Sequence, residues 1–274
     1  MTRRAVTLRV GIALTALIAL IALVSLVWLP HGVSDTSGGR LAPPGTDGYL
    51  FGTDRLGRDL ASQFMIGARI AMVTGIGAVA IAAVVGVVCG IVAAFAEGWF
   101  DDTLAGLLDV LIAFPTLLLA MLIVAAQPAS IWTAVLAIGL AQSAIIARLT
   151  RILAKRVLQS SFVAAARTSG TGSFGIVVGH VLPNIWTTLA VSLALQFGLA
   201  VLAEASLSYL GLGAPPPNAS WGRLLQEAQQ TVLVAPMGAI VPGLLIVVLV
   251  IGVNLIADGL REKLDPTARG RIIA

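Results

Sequence analysis

Few residues in this chain are of a type and spacing that do covalent chemistry. It has two lysines, Lys155 and Lys263, and neither follows a glycine. The glycine-lysine-hydroxyl signature of a phosphate-cradling loop is therefore absent, and the chain cannot hydrolyse ATP by that route. Cys89 is the single cysteine and lies inside an apolar run. No intrachain disulfide can form, and no cysteine metal set is implied. His31 and His180 are far apart, and no HExxH or CxxC spacing occurs. What remains is a glycine-broken, small-residue stretch and a handful of polar side chains set among apolar ones.

The stretch is residues 161–184, SFVAAARTSGTGSFGIVVGHVLPN. Arg148, Arg151, Lys155 and Arg156 precede it, and Arg167 lies within it. Phe162, Ala165, Ala166 and Ser169 recur at helical spacing and predict a short helix with a narrow face of mostly small side chains. Such a face fits a groove on another protein. Gly170 stands where a helix C-terminal glycine is expected. Ser173 is placed to cap a second short helix carrying Ile176, Val177 and His180, and Pro183 suits the first turn of the next helix. The spacing reads as a mechanical coupling loop over 148–183. A basic loop that only sets topology, its cations anchoring lipid headgroups, fits the same residues.

Polar residues inside apolar segments are the second set. An acid buried in hydrocarbon is costly and marks a functional position by default. Asp109 is such a residue, with a structural role near water or an arginine as the competing reading. Gln142, Gln196 and Asn254 have the character of path-lining residues or of interhelical hydrogen-bonding groups. Glu204 and Asp258 are expected at span ends, His180 as a packed loop residue, and Trp28, Trp99 and Trp221 at the membrane interface.

These residues must be positioned by membrane-spanning helices. Of 274 residues, 58% are hydrophobic and 11% charged, and the mean hydropathy is +0.99. A soluble domain carries more charge, so the composition defines an integral membrane protein. Strand alternation is absent, which argues against a β-barrel. The net charge of +4 comes from cations at span ends, without the aromatic-basic surface of a nucleic-acid binder. Uncharged or nearly uncharged runs over 10–29, 70–96, 103–126, 131–147, 185–203 and 236–257 predict six spans in an all-α polytopic fold, the last kinked at Pro242. The first is too long for a signal-peptide core.

The spans divide the chain into an N-terminal membrane helix (1–30), an outer loop (31–66) and a core (67–266) with a second outer loop at 206–235. The first outer loop has alternating charges at Asp54, Arg55, Arg58 and Asp59. Leu56, Leu60, Phe64 and Met65 there predict a short interfacial helix. Gly86 and Gly90 form a small-xxx-small pair suited to close helix approach, and Pro215–Pro217 stiffen the second outer loop. With six spans, both termini share a side with Arg148, Arg151, Lys155, Arg156 and Arg167. That side collects twelve cations, counting Arg3, Arg4, Arg9, Arg261, Lys263, Arg269 and Arg271. The other collects five: Arg40, Arg55, Arg58, Arg69 and Arg223. The positive-inside rule makes the first side cytoplasmic. Its exception is the turn at 97–102, which is acidic.

Ala165, Ala166, Gly170, Leu182, Pro183 and Asn184 resemble the cytoplasmic signature of the permease subunits of binding-protein-dependent ABC importers, in the dipeptide/oligopeptide/nickel branch. FGTDRLGRD (51–59), LLDVLIAFPTLLLA (107–120), EASLSYLGLG and PPPNASWG (within 204–222) are similar to further segments of that branch, in order, so that the likeness runs from about residue 50 to 266. The departure is Ala164, where the family has a glutamate. The resemblance implies a type I permease fold and a non-catalytic transport subunit of the bacterial inner membrane. It implies a homologous second permease as heterodimer partner, two ATPase subunits that bind ATP and Mg, and an extracytoplasmic substrate-binding protein. This chain would itself bind no cofactor, metal or nucleic acid. Ala165, Ala166, Arg167, Gly170, Leu182 and Pro183 would then be the ATPase-coupling residues. Asp109, Gln142, Gln196 and Asn254 would be candidates for the path, and Asp54, Arg58 and Trp221 for binding-protein contact. Peptides are the expected substrate, with nickel or a metal chelate as the alternative; a stand-alone secondary transporter or channel is the rival of another class.

Overall fold

A computed structural model describes residues 3–96, 98–215 and 218–264. Glu97, Pro216, Pro217, and the tail from 265 with Arg269 and Arg271, lie outside the described residues. The elements are α1 (Arg3–Val24), α2 (Leu60–Phe95), α3 (Gly98–Ala113), α4 (Thr116–Ala125), α5 (Ile131–Leu158), α6 (Ser161–Thr168), α7 (Ser173–Ile176), a π-helical turn (Val177–Val181), α8 (Leu182–Tyr209), α9 (Trp221–Ala228) and α10 (Met237–Leu264). Among the described residues the only β pairings are isolated bridges, Thr46 with Tyr49 and Thr53 with Asp59.

Among the described residues, five helical runs are long and apolar enough to cross a membrane, and α3 with α4 makes a sixth if the pair counts as one span. That third span is the main departure from the uniform run expected at 103–126. It is bent by 87° between α3 and α4. Pro115 is the cause: it lacks an N–H, and its ring forces Phe114 out of the helical region. Other spans outrun their apolar runs. The expected interfacial helix of the first outer loop is instead the opening of α2, which starts at Leu60 with Asp59 as its cap. Residues 148–158, expected in the coupling loop, continue α5. α8 carries on past residue 203 to Tyr209, and α10 runs through Pro242 as one helix.

Close packing comes from glycine. A Cβ on Gly86 would sit 2.7 Å from Ile146 Cβ, and one on Gly90 would sit 2.5 Å from both Ala147 O and Thr150 Cβ. Gly77 similarly meets Val135, so α2 and α5 run parallel with their backbones nearly touching, as the small-xxx-small spacing predicts. α1 lies along α10, and Leu8 meets Gly259. The beginning of α1 and the end of α10 therefore share one end of the bundle.

Three buried clusters stack along the bundle. One joins Ile18, Leu60, Phe64, Trp221 and Leu249. A middle one joins Ala78, Ile138, Ala200 and Leu207. A third, at the α6 end, joins Ile146, Val163, Ile176, Val181, Ile185 and Leu189. The outside is apolar, with Val84, Leu122 and Leu244 each more than half exposed. Such a surface suits hydrocarbon rather than water, and in the long helices the backbone groups beneath it are bonded within the helix.

Candidate functional site

α6 is the element the sequence singles out, and it is built as a seated but uncovered helix. Val163 alone is buried, dropping into the cluster of Ile146, Ile176, Val181 and Ile185. Phe162, Ala164, Ala165, Arg167 and Ser169 are exposed, and Ala166 is half-buried. The helix ends in a Schellman turn. The N–H of Gly170 donates to Arg167 O and that of Thr171 to Ala166 O, both at 3.0 Å, with Gly170 at φ +83°. That backbone region is open to glycine and costly for other residues. Gly172, not Ser173, occupies the cap position of α7, and no side chain bonds there. Ser173 enters the helix itself, so its hydroxyl is not placed to cap. Pro183 sits at the second residue of α8, which runs on without a break from the π-helical turn and α7 before it. His180 lies in the π turn, its ring 6.0 Å from that of Phe162. Because Ala164 is exposed, no contact within the chain depends on a carboxylate there; Arg167 is the only charge on α6.

The basic residues before α6 are mostly engaged in ion pairs, which corrects their reading as headgroup anchors. Arg151 forks onto Asp101 Oδ1 at 2.7 and 2.9 Å, and Lys155 bonds Asp101 Oδ2. Arg148 lies 3.2 Å from Asp109, with both side chains about half exposed. Asp109 thus reaches an arginine at the bundle surface. The acidic turn that breaks the charge rule is explained as well: Asp101 begins α3 directly against the cationic end of α5.

A half-open cleft lies between α4, α5 and α8, with about 540 Å³ of empty space counting its mouth and walls that are mostly apolar. Gln142, Gln196, Thr116, Leu117, Leu199 and Ser206 are among its walls. Gln142 donates to the backbone oxygen of Gln196 at 3.1 Å. The structure therefore unites two of the candidate path residues. It separates the other two: Asn254 is exposed on α10, beside Gly198, and Asp109 is on α3.

At the opposite end of the bundle, Asp54 and Arg58 organise the loop between α1 and α2. Arg58 Nε donates to Asp54 Oδ2 at 2.6 Å, and Asp54 also accepts the N–H groups of Leu56 and Arg58 and the amide of Gln63. Arg58 continues to Glu227 on α9 at 3.3 Å, and Arg223 pairs with the same carboxylate at 2.8 Å. Gly52 and Gly57 each have backbone oxygens of the 38–44 segment pressed against the missing Cβ. In the same loop the hydroxyl and N–H of Ser37 hold the Asp35 carboxyl below its usual range.

Trp221 does not belong on a contact surface. It is 1% exposed, its indole donates to Phe64 O at 3.0 Å, and it packs on Gly67. A ring that fills the α2–α9 junction can touch neither a soluble partner nor a headgroup. Trp28 and Trp99 are exposed, at 60% and 77%. Sequence reasoning also misplaced Glu204, which is 3% exposed inside α8 and accepts from Ser208 Oγ at 2.6 Å. The Ser at i+4 was the available signal. Asp101 was missed as an organiser; its distance in sequence from Arg151 leaves no local pattern.

Apolar crossing helices, a broken span beside a cleft with two buried glutamines, and a seated, uncovered helix at one end define a polytopic helical membrane protein. The sequence pattern described as binding-protein-dependent transport system inner membrane component matches residues 86–270, and the chain belongs to that family. It is 38% identical over 222 residues to a protein named glutathione transport system permease protein GsiD from Escherichia coli O6:K15:H31, covering 81% of this chain and 73% of the relative. The same figures hold for proteins of that name from Shigella boydii serotype 4 and Shigella sonnei. The chain is thus a multi-pass, non-catalytic permease subunit of an ABC importer in the bacterial inner membrane. Importers of this class work as assemblies of permease, ATPase and substrate-binding protein.

Proposed function

We propose that this chain, paired with a second homologous permease, forms the translocation path of an ATP-driven importer for di- and oligopeptides, short γ-linked peptides such as glutathione included. The observation that carries the substrate class is the 38% identity, over 81% of the chain, to permeases named for glutathione transport. Both termini face the cytoplasm on this reading, supported by the twelve-to-five division of cations and by the shared end of α1 and α10. α6 and the Gly170 turn dock into an ATPase subunit, which holds ATP and Mg. Two such subunits serve the two permeases. The uncovered small-residue face of α6 supports this. On the outer side a substrate-binding protein docks near the Asp54/Arg58 loop, and Gln142 and Gln196 line the path.

The test is purification of the chain from native membranes with its associated subunits, followed by uptake in proteoliposomes. Labelled glutathione, a labelled dipeptide and a nickel chelate are offered with the co-purified binding protein. ATP-dependent uptake of either peptide supports the reading. Uptake of the nickel chelate alone replaces the substrate class. Uptake by this chain alone, without ATP, overturns the mechanism.

A further inference from the structure

The cleft behind the break in the third span holds two kinds of unused hydrogen-bonding capacity. Gln142 and Gln196 are 1% and 5% exposed, and the Oε1 of each is buried without a partner. A buried acceptor left unbonded costs about 1–3 kcal/mol, so two on one wall suggest a donor that arrives from outside the chain. On the facing wall α4 begins at Thr116 after Pro115, with no side chain capping it. Leu119 N–H is the first of this helix seen to bond back, to Pro115 O. The preceding N–H groups have no intrahelical acceptor and lie at the positive end of the helix dipole. Thr116 and Leu117 both line the cleft. No charged side chain is among its described walls, so attraction for an anion falls to the α4 terminus, as at other helix N-termini.

We propose that this cleft is a subsite for the C-terminal end of a peptide, with the terminal carboxylate at the start of α4 and amide N–H groups on the free Oε1 atoms of Gln142 and Gln196. The inference rests on the peptide-import reading and deepens it. A peptide end carries an anion and N–H donors side by side, which matches an uncapped helix start opposite two bare acceptors. A hydrated metal ion or an inorganic anion uses only one of the two walls.

The experiment uses the complete importer in proteoliposomes with its binding protein saturated by each probe. The probes are a labelled tripeptide, its form N-methylated at both amides, and its C-terminal amide. Gln196→Met removes an acceptor at matched length and leaves the Gln142 bond, which goes to the backbone oxygen, in place. N-methylation is expected to slow wild-type uptake about three- to tenfold and to have a clearly smaller effect in the variant, which keeps only the Gln142 acceptor. The C-terminal amide is expected to slow uptake in both. Equal N-methyl penalties in wild type and variant, or none in either, overturn the subsite while peptide import stands. Wild-type uptake of no peptide overturns both readings. Should the variant fail to assemble, Leu199→Cys at the exposed cleft wall, in a Cys89→Ser chain, replaces it. Maleimide labelling there slowed several-fold by millimolar tripeptide, and not by its C-terminal amide, supports the subsite; equal rates overturn it.

Discussion

The coupling assignment is most sharply tested at Gly170. Its φ of +83° closes the Schellman turn that ends α6, and a Cβ placed there meets nothing within 4 Å. A substitution therefore brings no clash, only backbone strain, about 1–2 kcal/mol for an ordinary L-residue in the left-handed region. Asparagine tolerates that region best, alanine less well and a β-branched residue least. Strain of this size shifts the population holding α6 in its docked geometry by roughly 5- to 30-fold. The expected series is Asn mildest, then Ala, then Val, with ATP-driven uptake falling in that order by up to about 30-fold. Gly170→Asp adds a charge on the docking surface and is expected to uncouple transport more than Asn does. Membrane insertion should be unchanged throughout, because the buried cluster around Val163 is untouched. The assay compares uptake per permease with ATPase co-purified per permease. Equal activity of the Asn and Val variants, or loss of the chain from the membrane, would refute the reasoning.

Trp221→Ala should lower the stability of the detergent-solubilised chain by about 3–5 kcal/mol, read as a fall in Tm, while Trp221→Phe loses chiefly the hydrogen bond to Phe64; an unchanged Tm for the alanine variant would contradict its burial. Asp101→Asn should free the end of α5, read as faster trypsin cleavage after Arg151 and Lys155. The double variant with Arg151→Gln, compared with the two single variants by cleavage after Lys155 alone, should be less than additive, since both act on one ion-paired site. Gly90→Val should abolish accumulation of folded chain, because its Cβ would sit 2.5 Å from Ala147 O; normal accumulation would contradict the parallel α2–α5 packing.

Most of the architecture was legible because the bilayer leaves so few options. Long apolar runs must be helices, Gly86 and Gly90 must face a neighbour, and Gly170 has one natural place. What failed was whatever depended on residues distant in sequence. Asp101 and Arg151 are 50 positions apart, so the cations of α5 read as lipid anchors when most are paired within the protein. Trp221 and Phe64 are 157 apart, and an aromatic near a span end reads as an interface residue when it is a core one. Span boundaries failed for a related reason. Hydropathy reports where charge begins, whereas a helix continues until its hydrogen bonding is interrupted, so α5 and α8 carry polar residues as helix. At Pro115 the apolar pattern continued while the helix did not.

One helix ties the proposed functional elements together. α5 has 28 residues, about 42 Å of helix, and carries Gln142 in the cleft wall. Ile146, one turn on, lies in the cluster that holds Val163 of α6 and against Gly86 of α2. Arg151 and Lys155, farther along, grip α3 through Asp101. On the proposed reading, a displacement of α6 by an ATPase would bear on a cluster that includes α5, and the close contacts of Gly86 and Gly90 oppose sliding of α5 past α2. The same displacement reaches α3 through a clasp of two cations on one carboxylate. The break at Pro115 is the point at which α3 can turn without carrying α4 with it. On the proposed reading, the chain therefore has one stiff lever, α2 with α5, and one jointed one, α3 with α4, meeting at the cleft. Releasing the clasp should then impair transport more than it impairs ATPase docking, because α6 remains seated by Val163. Asp101→Asn with normal ATPase recovery and reduced uptake is the expected result; loss of both in proportion would place the clasp in docking rather than in transmission.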